Sequence, residues 1–80
     1  MDGYYTKLAG ALRERLSLIA DQELREKNPA LQLEKLKLAS ERIDELKADL
    51  PVDADPMLIH YLQRMSLSKA LEFVEREHLQ

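Results

Sequence analysis

Asn28-Pro29-Ala30-Leu31-Gln32-Leu33-Glu34-Lys35-Leu36-Lys37-Leu38-Ala39 is the stretch whose reading decides the fold. Pro29 disfavours helical geometry at Asn28 and removes one backbone donor. Asn28 is a good N-cap, and proline fits the first helical position. The pair therefore marks a tight turn into a new helix. The segments on either side are expected to fold back as an antiparallel hairpin, in preference to one long helix kinked at Pro29.

Beyond that turn, Leu36, Ala39, Ile43, Leu46 and Leu50 recur at spacings of three and four. This is a coiled-coil seam of about two heptads, which Leu33 is expected to extend by one turn. It predicts a helix over about 29–49. Leu31 and Leu38 fall off the seam, because residues two apart on a helix differ by about 200°. The helix is thus apolar on more than one side. One stripe can meet the preceding helix, and the other needs cover from the C-terminal helices or from another chain.

Before the turn, a helix is predicted over about 2–27, capped by Asp2. Tyr5, Leu8, Leu12, Leu16 and Ile19 share one face, and Tyr4, Ala11 and Leu18 form a second line at intervals of seven. Gly10 weakens a helix, so its presence is expected to mark close approach of a neighbouring helix. Glu23 and Lys27 have the favourable i,i+4 orientation, as do Glu72 and Arg76.

After the hairpin, Pro51 ends the second long helix, and Asp55-Pro56 repeats the cap-then-proline start signal. A helix is predicted over about 56–65, with Leu58, Tyr61, Leu62 and Met65 on one face. Ser66 then caps a helix over about 67–78, with Leu67, Ala70, Leu71 and Val74 inward and Phe73 beside them. The expected fold is all-α, a small helical bundle in a single domain over 1–80. Its hairpin is packed by two shorter helices.

Composition agrees. Sixteen of 80 residues are leucine, hydrophobic residues make up 45% and charged residues 34%, and there are only two glycines and three prolines. That mixture suits a bundle and argues against disorder. The absence of cysteine removes disulfides, thiol catalysis and zinc–thiolate sites. No apolar run approaches the roughly 18 residues of a membrane span, and the N-terminus lacks the n- and h-regions of a secretory signal. A cytoplasmic location and no membrane association are expected.

Signals for chemistry are weak. His60 and His78 lie eighteen positions apart near Asp53 and Asp55, without the i,i+4 pairing of a helical metal site. Asp55 is expected to cap its helix and both histidines to face solvent, leaving no metal and no cofactor. The carboxylates alternate with Lys and Arg as on a solvated face. Ser17, Ser40, Ser66 and Ser68 stand in no GxSxG elbow, and no Gly-rich phosphate loop is present. Arg64 precedes Ser66 by two positions, a setting for phosphorylation, but capping accounts for the serine. An enzyme is not expected, nor a small-molecule substrate.

Two function classes remain. The third and fourth helices meet at a short turn that resembles helix-turn-helix, which makes a nucleic-acid-binding regulator the alternative. Against it, Lys69 and Arg76 face Glu72, Glu75 and Glu77, and the net charge is −3. The preferred reading is protein–protein interaction or oligomerisation, most simply a homodimer, through apolar helix faces. The expected anchors are Tyr4, Tyr5, Leu18, Leu31 and Leu38.

Overall fold

A computed structural model describes residues 3–79. In chain order it contains α1 (Gly3–Ala20), α2 (Gln22–Lys27), α3 (Pro29–Ala48), α4 (Pro56–Gln63) and α5 (Leu67–His78). Among the described residues there is no strand. The architecture is the all-α bundle that the periodicity implies.

Asn28 and Pro29 behave as their chemistry dictates. Asn28 is the N-cap of α3, its Oδ1 accepts from the Leu31 N–H at 3.1 Å, and Pro29 opens the helix. The chain reverses over α2 and this cap, so α3 packs along α1. Tyr4, near the start of α1, donates its hydroxyl proton to the carbonyl of Leu46, near the end of α3. At the other end of the hairpin, Gln32 donates from Nε2 to the Leu18 carbonyl at 2.9 Å. These two bonds fix the antiparallel register.

The core gathers Leu8 and Leu12 of α1, Ile43 of α3, Leu58 and Leu62 of α4 and Val74 of α5, each essentially inaccessible. Burial of each such side chain favours folding by about 1.5–3 kcal/mol before entropy is counted. α5 rests on α1, and α4 rests on α5. The lengths leave a mismatch. The twenty residues of α3 span about 30 Å, whereas the twelve of α5 span about 18 Å. Most of the hairpin's far half is therefore held by its own two arms.

Several boundaries depart from the sequence expectation. The first helix is two: α1 ends at Ala20, and Asp21 caps α2 through Oδ1, which accepts from the Leu24 N–H at 3.0 Å. Carbonyls freed by this break find donors elsewhere. Gln32 supplies Leu18, and Arg25 Nη2 supplies Ile19 at 2.8 Å. The expected cap at Asp2 lies outside the described residues.

α4 stops at Gln63, earlier than the apolar spacing suggested. Ser66 N–H donates to the Tyr61 carbonyl at 2.9 Å and Met65 N–H to the Leu62 carbonyl at 3.2 Å. This is a Schellman closure, with Met65 in the left-handed position at φ 57°. Gly10 also departs from expectation. It is exposed, and a Cβ there would meet nothing within 4 Å, so no helix approaches it. Leu33 is 66% exposed, because Gln32, one residue earlier, takes the inward position of that turn.

Candidate interaction surface

Of the five side chains expected to carry association, the fold draws three into its own packing. Leu18 is buried at 9%. Tyr4 and Tyr5 are half-buried against the core, and their rings meet edge to face at 5.2 Å. Tyr4 also spends its hydroxyl on Leu46. Burial, with the like-charged Tyr5 and Asp49 nearby, pushes its phenol up to about 12. Tyr4, through its hydroxyl, and Leu18, through its carbonyl, are bonded to α3, which seven-residue spacing alone does not reveal.

The aromatic packing continues to the C-terminus. Tyr5 stacks face to face on His78, with centroids 3.7 Å apart and planes within 2°. His78 Nε2 lies 3.2 Å from Asp55 Oδ2. Phe73 stands beside His78 at 6.3 Å and meets Tyr61 at the same distance. One cluster thus ties the start of α1, the connector before α4 and the end of α5. It corrects two expectations. Asp55 occupies the cap position of α4 without a side-chain cap bond, because its carboxylate turns to His78. His78, in turn, is largely covered, while His60 is exposed as expected. Ser66 likewise sits at the cap position of α5 without a side-chain cap bond. Sequence gave no signal for the Tyr5–His78 contact, since the partners lie at opposite ends of the chain.

Among the described residues, no three His, Asp or Glu side chains come together in a way that could hold a metal ion. No helix of the described residues is long and apolar enough to cross a membrane. Three surface pairs form among the described residues: Arg13–Glu75 at 2.6 Å, Lys27–Glu23 at 2.9 Å, and Arg76–Glu77 at 3.1 Å in place of the expected Glu72.

Leu31 and Leu38 are the anchors that remain outside. Their exposures are 36% and 59%, on a helix whose inward positions are Gln32, Ala39, Ile43 and Leu46. Seven residues apart, the two leucines lie on one stripe of α3, to the side of its packed face. Glu34, Lys35, Glu41 and Arg42 flank the stripe and are all exposed, and none of them makes an ion pair among the described residues.

No protein-family model, curated protein or solved structure matches this chain.

Proposed function

We propose that this protein is an association module that pairs with a second copy of itself through the outer stripe of α3. The observation that carries this reading is the exposure of Leu31 and Leu38 on a long helix that α4 and α5 do not lie along. Single exposed leucines are ordinary, but two at heptad spacing on a preformed helix are a ready docking face. Removing them from water on association supplies the driving force, and the charged rim supplies selectivity. The stripe spans about two helical turns, so the interface is small and the dimer concentration-dependent.

Sedimentation of the wild type and of Leu38→Glu over a range of protein concentrations tests this. The wild type should shift from monomer to dimer as concentration rises, and Leu38→Glu should stay monomeric with unchanged helical circular dichroism. A wild type that is monomeric throughout overturns the reading. Unfolding of Leu38→Glu would mean that this side chain supports the fold itself, and would equally overturn it.

A further inference from the structure

The sequence of α3 repeats one unit at an interval of seven: Leu31, Glu34, Lys35 and then Leu38, Glu41, Arg42. Successive residues on a helix turn by about 100°, so Glu34 lies about 60° to one side of Leu31 and Lys35 about 40° to the other. Glu41 and Arg42 stand in the same relation to Leu38. The leucine stripe therefore has an acidic flank and a basic flank. All four charges are exposed and make no ion pair within the described chain.

Symmetry converts this into a direction. When two identical helices run antiparallel, the two-fold axis stands perpendicular to both, and each flank stays on its own side. Glu34 would then meet Glu34, and Lys35 would meet Lys35. When they run parallel, the two-fold axis lies along them and exchanges the flanks. Glu34 of each chain then faces Lys35 of the other, and Glu41 faces Arg42, at nearly the same height. Like charges brought together disfavour the first arrangement, and opposite charges favour the second.

We propose that two copies pair with their α3 helices parallel and in register. Leu31 meets Leu31 and Leu38 meets Leu38; Glu34–Lys35 ion pairs cross from chain to chain between these layers, and Glu41–Arg42 pairs cross beyond the second. This rests on the reading of α3 as the association surface. The leucines hold the copies together, and the charges set their direction, as rim charges do in coiled coils. The seam ends after the second unit, because the next position of the stripe is Glu45.

The protein lacks cysteine, so thiols can be introduced singly. Leu31→Cys and Leu38→Cys are each oxidised alone and then as an equimolar mixture, with Leu33→Cys as the exposed off-stripe control. A disulfide needs Cβ atoms within about 3.5–4.5 Å, which restricts cross-linking to residues that face one another. Each stripe variant should form a covalent dimer by itself, and Leu33→Cys should not. Cross-linking of Leu31→Cys to Leu38→Cys only in the mixture overturns the parallel register while leaving self-association through α3 intact. Cross-linking of none of them, with a wild type that sediments as a dimer, overturns both the stripe and its register. A monomeric wild type overturns the underlying reading as well.

Charge reversal gives an independent measure. Glu34→Lys with Glu41→Lys makes both flanks basic, and Lys35→Glu with Arg42→Glu makes both acidic. Each double variant alone should associate at least about tenfold more weakly than wild type, and mixing the two should restore association. Unchanged association of both variants overturns the ion-pair register.

Discussion

Gln32 of α3 reaches across the hairpin and donates to the main-chain carbonyl of Leu18, 2.9 Å away, near the end of α1. It is the one buried polar residue among those described, at 6% exposure. A single side chain thus satisfies a helix-terminal acceptor and locks the two arms together. Replacing it with leucine keeps the apolar bulk and removes the donor. Stability should fall by about 1–2 kcal/mol. Urea unfolding should show a lower midpoint with an unchanged slope, the signature of altered stability without altered compactness.

Gly10 lies inside α1 with open space where a side chain would stand. Alanine there restricts the unfolded chain and meets no neighbour. Gly10→Ala should stabilise the domain by about 1 kcal/mol. In a domain of this size that is a rise in melting temperature of about 4–8 °C. No rise, or a fall, would show that α1 needs glycine for a reason outside its own packing.

Met65 holds the left-handed position that closes α4, at φ 57°, with half of its surface exposed. An L side chain resists this conformation, and glycine does not. Met65→Gly should therefore gain about 0.5–1 kcal/mol in equilibrium unfolding, despite the loss of a large apolar residue. Met65→Val, β-branched and less tolerant of positive φ, should destabilise.

Tyr4 titrates near 12 in the folded chain against an ordinary value of 10.0, first because burial disfavours its phenolate. The unfolded chain therefore gives up this proton at lower pH than the folded one. The stability supplied by the neutral phenol is complete below pH 10 and is lost as pH rises from 10 towards about 12. Chemical denaturation across that range should show a loss of stability that Tyr4→Phe reduces. The same variant should be less stable than wild type at neutral pH by about 1 kcal/mol, because the bond to Leu46 is gone.

The parts of the fold legible in sequence are those fixed by local chemistry. Asn28-Pro29 announced a new helix after a reversal, and α3 starts there through the cap bond and the proline together, although the reversal itself is carried by α2. The off-seam placement of Leu31 and Leu38 followed from helical geometry, and both are exposed. What escaped was set by partners distant in sequence. At the break before Asp21, Gln32 and Arg25 donate to the Leu18 and Ile19 carbonyls, while the apolar spacing ran through it without interruption. Asp55 reads as a helix cap until the fold presents His78 to it. Tyr4, Tyr5 and Leu18 look like surplus apolar surface until the register of the hairpin and the stacking on His78 are known.

α2 contributes no buried residue, and α3 after it starts on a side-chain cap of its own at Asn28. The turn of the hairpin can therefore unravel without opening the core around Leu8, Leu12 and Val74. In hydrogen exchange this makes two tiers of protection. Amides of residues 22–27 should trade with solvent through small local openings, and those around the core only when the whole domain opens. The tip is accordingly the place where the chain would accept an inserted loop or an appended label with least disturbance to the rest.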